Sequence, residues 1–319
     1  MMWQVLLLVA GFAGIITGAV LLVDGASSLA RRLNVPGIVI GLTIVAFGTS
    51  SPEFVVNLFA SLSGNSEMVL GNVIGSNILN ILLILGLSTL IFPLAVKTTT
   101  TWFEIPLCLL SALAALALAG DQKIDGNTVA LVSRSDGMIL LLFFTVFIAY
   151  NIQMAVKGNT DEPVPGRDLS AGKSILMFLG GLILLIAGGK ITVSSATSLA
   201  TTAGIPDRII ALTIVSLGTS LPELATSVVA AIRKHTDIAL GNILGSNIFN
   251  VFFILGISAV ISPVTVSGGA ITDLLFNAFI SLLIFIFVFT GKGRKLHRTE
   301  GGLFLLLYAG YLVFIFIKP

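Results

Sequence analysis

Long apolar runs separated by short polar stretches organise the chain from end to end. Ten of them can be marked, near residues 3–24, 36–62, 67–92, 102–120, 136–156, 174–200, 206–232, 237–261, 270–290 and 301–317. A bilayer crossing needs roughly 20 mostly apolar residues, so each run is a candidate transmembrane helix. The first, Trp3 to Val23, lacks a basic leader and is longer than the apolar part of a signal peptide, so it reads as a span. The sixth is the least clean, because Lys190 and the stretch Thr192 to Thr202 make its second half polar. The predicted fold is an all-α polytopic membrane protein of ten transmembrane helices.

With ten spans, alternate loops lie on opposite sides. One side collects twelve basic residues: Arg31, Arg32, Lys97, Lys157, Arg167, Lys173, Arg233, Lys234, Lys292, Arg294, Lys295 and Arg298. The other holds four, Lys123, Arg134, Arg208 and Lys318, with Lys190 snorkelling to it as a fifth. The positive-inside rule makes the first side cytoplasmic and both termini external.

A second pattern lies on top of the first. Shifted by 170 residues, 41–93 aligns without a gap on 211–263, with 24 of 53 positions identical. The segment Gly48-Thr49-Ser50 with Pro52-Glu53 returns as Gly218-Thr219-Ser220 with Pro222-Glu223. Downstream, Gly71-Asn72, Gly75-Ser76-Asn77-Ile78 and Asn80 return as Gly241-Asn242, Gly245-Ser246-Asn247-Ile248 and Asn250. The offset covers five spans, an odd number, so the second copy enters the membrane from the opposite side. Inverted-topology repeats of this kind characterise secondary transporters, which bind substrate near the midplane between the repeats. The expected organisation is an N-terminal five-helix repeat (1–156), a cytoplasmic linker (157–173) and a C-terminal five-helix repeat (174–319). A repeat kept for packing alone would preserve apolar positions rather than carboxylates, amides and hydroxyls.

Composition agrees with the pattern. Of 319 residues 56% are hydrophobic and 10% charged, and the mean hydropathy is +1.07. A soluble domain carries about 25% charged residues, so there is too little polar material for a water-facing surface or a soluble catalytic domain. The net charge of +2 adds little, and the single cysteine, Cys108, cannot form an intrachain disulfide.

The candidate chemistry sits in the repeat. Glu53 and Glu223 are the carboxylates that the span pattern places deep in the membrane, whereas Asp24, Asp136 and Asp273 fall near span ends. A charged acid at a helix centre costs about 3 kcal/mol on insertion scales, so such residues are usually functional. Pro52 and Pro222 remove a backbone donor and loosen the carbonyls one turn earlier. Thr49 and Ser50 lie four and three residues before Glu53, and Ser76 and Asn80 are four apart on the next span. Spacing alone therefore offers a carboxylate, hydroxyls, an amide and loosened carbonyls per repeat. Calcium takes six to eight such oxygens. No His/Cys cluster of the kind zinc or copper prefers is present, since His235 and His297 lie in basic loops. Gly71, Gly75, Gly241 and Gly245 have the small-xxx-small spacing of close helix packing. Asn72, Asn77 and their repeats are open to either role, ligand or helix fastener.

Gly48-Thr49-Ser50-Ser51-Pro52-Glu53 with Gly75-Ser76-Asn77-Ile78-Leu79-Asn80 resembles the first α-repeat of the cation/calcium antiporter superfamily, and the 218–223 and 245–250 segments resemble the second. The likeness is to prokaryotic sodium/calcium exchangers and covers the whole chain. It implies calcium bound by Glu53, Glu223 and the backbone carbonyls of Thr49 and Thr219. It also implies sodium sites that add Ser50, Ser76, Ser220, Ser246 and the carbonyls of Ala46 and Ser216. The amides of Asn80 and Asn250, offered by the spacing, are further candidate metal ligands. Spans one and six would slide across the four site-forming helices. Many members carry aspartate where this chain has Asn250, which leaves two carboxylates here rather than three. The calcium/proton branch usually reads Gly-Asn-Ala-x-Glu at the first motif, a pattern this chain lacks.

The expectation is a sodium/calcium antiporter of a prokaryotic inner or plasma membrane, functional as a monomer. Its partners are the bilayer, Ca²⁺ and Na⁺, with no cofactor, no nucleic acid and no enzymatic activity. A calcium/proton antiporter is the nearest alternative. A passive cation channel would show flux without countertransport. An intramembrane serine hydrolase lacks a base within a plausible span face, apart from Lys190.

Overall fold

The computed structural model describes residues 2–120, 126, 129–158, 169–204, 216–290 and 293–317. The start of the seventh predicted span and of the second repeat (205–215) lies outside them, as does most of the 157–173 linker. The basic residues Lys123, Arg167, Arg208, Lys292 and Lys318 also lie outside.

The described chain is almost wholly helical. The long helices are α1 (Met2–Arg32), α4 (Ser66–Ile91), α5 (Thr100–Leu118), α6 (Arg134–Lys157), α7 (Ala171–Thr202), α10 (Thr236–Ile261), α11 (Gly268–Thr290) and α12 (Arg298–Ile317). Shorter pieces are α2 (Gly37–Thr49), α3 (Ser51–Leu62), α8 (Ser216–Thr219) and α9 (Leu221–Ile232). Among the described residues eight helices are long and apolar enough to cross a membrane, and the bent pair α2–α3 makes up to nine. The seventh predicted span appears as α8 and α9, because its first half lies outside the described residues.

Local sequence explains where the helices start and break. The Asn65 side chain accepts the Met68 amide to cap α4, and Ser133 with Asp136 forms a reciprocal capping box on α6. Between α2 and α3 the axis bends by 50°. Ser50 is the single non-helical residue there, and Pro52 falls in the first turn of α3, where its missing N–H costs nothing. Pro222 occupies the same place in α9. Both α4 and α10 widen into a π-helical turn beginning at an asparagine, Asn80–Leu85 in one and Asn250–Leu255 in the other. Such turns often mark functional sites.

Helices α4 and α10 form the buried centre, whereas α6 and α12 lie at the periphery. A Cβ added to Gly41 would stand 2.9 Å from the Gly241 Cα, and one on Gly245 would stand 2.6 Å from the Leu42 carbonyl oxygen. The predicted close approach is thus made by Gly241 and Gly245 against α2. Gly71 and Gly75 have no such neighbour among the described residues.

Helices α1 and α7 run against each other backbone to backbone. An added Cβ on Gly18 would meet the Gly181 carbonyl at 2.7 Å, and one on Gly25 the Ser174 carbonyl at 2.7 Å. One on Gly188 would meet the Gly11 carbonyl at 2.8 Å. The polar second half of the sixth predicted span is continuous helix in α7, with Lys190 exposed and Thr192 buried.

Two short antiparallel strand pairs tie loops together. β1 (Leu94–Ala95) pairs with β4 (Lys295–Leu296), and β2 (Leu131–Val132) pairs with β3 (Val264–Thr265). Lys97 pairs with Asp237 at 3.0 Å. Asp24, expected near the end of a span, lies inside α1, which continues to Arg32. It is buried there and paired with Arg233 at the end of α9.

Candidate cation-binding site

The helix breaks at Ser50 and Ser220 are followed by the first turns of α3 and α9, which carry Glu53 and Glu223, both 1% exposed. Each carboxylate is held from the other half of the chain. Ser50 Oγ donates to Glu223 Oε1 at 2.8 Å, and Ser220 Oγ donates to Glu53 Oε1 at 3.0 Å. The same hydroxyls touch the neighbouring serines crosswise, Ser50 to Ser246 at 3.0 Å and Ser220 to Ser76 at 3.3 Å. Spacing along one helix groups Ser50 with Glu53. The break at Ser50 turns its hydroxyl away from its own glutamate, so the pairing runs across the two halves.

The glutamate backbones are clamped too. Asn72 Nδ2 donates to the Glu53 carbonyl at 3.2 Å and to Asn57 Oδ1 at 2.7 Å. Asn242 Nδ2 donates to the Glu223 carbonyl at 3.4 Å and to Ser227 Oγ at 2.9 Å, while its Oδ1 accepts from Thr49 at 3.0 Å. Asn72 and Asn242 therefore fasten the glutamate backbones to the neighbouring helices. Thr49 and Thr219 close α2 and α8 beside Ser50 and Ser220, each with its side chain near the opposite half's glutamate. The Ala46 carbonyl accepts the Ser50 amide at 2.9 Å and the Thr49 hydroxyl at 3.3 Å. Ser216 begins α8, and its side chain lies outside the described residues.

What remains after these bonds is a set of acceptors. Glu53 Oε2, Glu223 Oε2, Asn80 Oδ1 and Asn250 Oδ1 are buried without a hydrogen-bond partner. Among the described residues neither glutamate pairs with a basic side chain. Leaving a buried carboxylate oxygen unpaired costs several kcal/mol, and four buried acceptor oxygens without a hydrogen-bond partner suit a cation. The donor set is all oxygen. Among the described residues no group of three or more His, Cys, Asp or Glu is assembled, so the chemistry favours a hard ion over a thiolate- or imidazole-seeking one.

The model for the family described as "Sodium/calcium exchanger protein" matches residues 3–153 and 173–317. The chain belongs to the sodium/calcium exchanger family. The chain is 32% identical over 348 residues to the sodium/calcium exchanger MaX1 of Methanosarcina acetivorans, covering 98% of each chain. It is 34% identical to the inner membrane protein YrbG of Escherichia coli, over 97% of this chain and 94% of that one. The putative antiporter CaxA of Alkalimonas amylolytica is 35% identical over 92% of both. The solved structure of the sodium–calcium exchanger NCX_Mj superimposes with a TM-score of 0.85 at 30% identity, covering 98% of both chains. The family and its structural neighbours are transporters. The protein is a multi-pass integral membrane protein.

Glu104 and Asp24, two of the buried acids outside the site, escaped the sequence pattern. Glu104 is fully buried near the start of α5, where Tyr150 donates to its Oε1 at 2.5 Å and its Oε2 has no partner. A position two residues past the start of the predicted span reads as interfacial, so only the packing of α6 over it reveals its burial. Asp24, the other, is recognisable only through its distant partner Arg233.

Proposed function

We propose that this exchanger moves Ca²⁺ against Na⁺ by alternating access, with the ions bound between its two halves. The reading rests on the four unpartnered oxygens of Glu53, Glu223, Asn80 and Asn250, to which the hydroxyls of Ser50, Ser76, Ser220 and Ser246 add lone pairs. Calcium would be neutralised by the two carboxylates, with the Thr49 and Thr219 carbonyls completing its shell. Sodium would use the same acids together with the serines and the Ala46 and Ser216 carbonyls. Because the two ions share carboxylates, occupancy is exclusive, and exclusive occupancy couples their movements. Three sodium ions on two carboxylates leave net charge, so such a cycle is electrogenic, at about 2.3 kcal/mol per charge per 100 mV.

The architecture in this proposal is ten spans as two inverted five-helix repeats, 1–156 and 174–319, joined by a cytoplasmic 157–173 linker, with both termini outside. Contacts among the loops support the sidedness. Residues predicted to be cytoplasmic meet one another: β1 with β4, Lys97 with Asp237, Asp24 with Arg233, and Ser28 with Ser174. Residues predicted to be external do likewise, β2 with β3 and Ser66 with Thr265. The interlocked α1–α7 pair is the natural sliding unit. The protein is proposed to work as a monomer.

The test is calcium uptake into sodium-loaded proteoliposomes diluted into sodium-free buffer. Uptake that needs the outward sodium gradient and survives a protonophore supports the proposal. Uptake that ignores sodium and follows an imposed pH gradient replaces it with calcium/proton antiport at the same glutamates.

A further inference from the structure

The motif Gly-Ser-Asn-Ile-x-Asn carries two asparagines per half, and the structure gives them different work. A main-chain carbonyl can only accept a hydrogen bond. Asn77 Nδ2 donates to the Asn247 carbonyl at 3.3 Å, which turns the Asn77 Oδ1 the other way. There it accepts Asn250 Nδ2 at 3.0 Å. The Asn250 amide is thereby oriented, and its Oδ1 is the atom left without a partner. The mirror relay runs from the other half. Asn247 Nδ2 donates to the Asn77 carbonyl at 3.4 Å, and Asn247 Oδ1 accepts Asn80 Nδ2 at 2.9 Å, which leaves Asn80 Oδ1 free. All four side chains are 1% exposed, so water does not compete for these bonds.

We propose that Asn77 and Asn247 are positioning residues of the cation site. Each reads the polarity of a backbone carbonyl in the opposite half and passes it across the interface. The outcome is that Asn250 and Asn80 present oxygen, not NH₂, to the ion. The inference rests on the exchanger reading of the site and names what holds two of its ligands. It also gives a reason for the amide at position 250. That position must donate to Asn77 Oδ1, which Asn250 does. An ionised aspartate there would set acceptor against acceptor.

The test is calcium binding to the purified, detergent-solubilised protein by titration calorimetry, arranged as double-mutant cycles. Asn77→Leu should weaken binding about 10- to 100-fold, the usual effect of losing the partner that orients a metal ligand. Made on top of Asn250→Ala it should cost little more, because its target is already gone. On top of Asn80→Ala it should cost its full amount. Asn247→Leu should show the reverse pattern, losing its effect only in Asn80→Ala, and it carries the test alone if size-exclusion chromatography shows that Asn77→Leu does not fold. An equal loss in both backgrounds would mean a general packing role and would overturn the relay. Wild-type protein that binds neither calcium nor sodium would instead sink the exchanger reading, and the relay with it.

Discussion

Gly181 and Gly180 are neighbours in α7, yet the same substitution should have opposite consequences at them. A Cβ on Gly181 would lie 2.5 Å from the Leu22 amide nitrogen and 2.6 Å from the Gly18 carbonyl oxygen of α1. Ordinary contact begins near 3.4 Å, so α1 and α7 would have to part by about 0.8–0.9 Å at the crossing. Neither obstacle is a flexible side chain; both are backbone. Overpacking a filled interior costs about 1–3 kcal/mol, more than the gain of up to about 1 kcal/mol from replacing helical glycine by alanine. A Cβ on Gly180 would meet nothing within 4 Å, so Gly180→Ala keeps only that gain. Thermal denaturation in detergent, followed by size-exclusion chromatography, should therefore show Gly181→Ala melting below wild type and Gly180→Ala at or above it. Proteoliposome assays should find exchange slowed only in the first. Indistinguishable melting of the two variants would refute the claim that the helices are locked backbone to backbone.

Glu53→Gln and Glu223→Gln should each fold but bind and transport no calcium. Glutamine keeps the Oε1 that accepts from serine, while its NH₂ replaces the free Oε2; normal uptake by both variants would remove these residues from the site. Glu104→Gln should leave exchange intact because it preserves the Tyr150 bond. Glu104→Leu should destabilise by about 1–3 kcal/mol by orphaning that hydroxyl, a difference visible in the same melting assay. His235, at the start of α10 and outside the span, has its pKa lowered from 6.5, first by burial and then by Arg233, against an opposing pull from Asp24. The folded state then binds fewer protons than the unfolded one below pH 6.5, so stability falls as pH drops through that value toward the lower folded pKa. Melting temperatures compared between pH 7.5 and 5.5 should show this decline, and His235→Gln should flatten it.

Much of the site was legible because repetition marks it. Two glutamates at matched positions, each after a proline and a Gly-Thr-Ser cluster, stand out in an apolar chain. Hydroxyls and amides recur at the same offsets. Glu104 and Asp24 carried no such mark. Each is an isolated acid at a depth where contact with headgroups is an equally good expectation, and only the packing of α6 and α9 against them decides otherwise. The pairing of Ser50 also eluded helical periodicity, since a one-residue break changes which way a hydroxyl points without altering its spacing from Glu53.

The sequence by itself determined the solvent, the predicted span pattern and the inventory of candidate ligands, because these follow from local quantities: apolar length, charge placement and residue type. Tertiary structure decided which oxygen faces which partner. Ser50 serves Glu223, Asn77 serves Asn250, and α1 closes on α7 within backbone contact. Each of these depends on bringing together residues more than 140 positions apart. A hydrogen bond's direction is set by the group opposite it, and that group is specified only when the two halves of the chain meet.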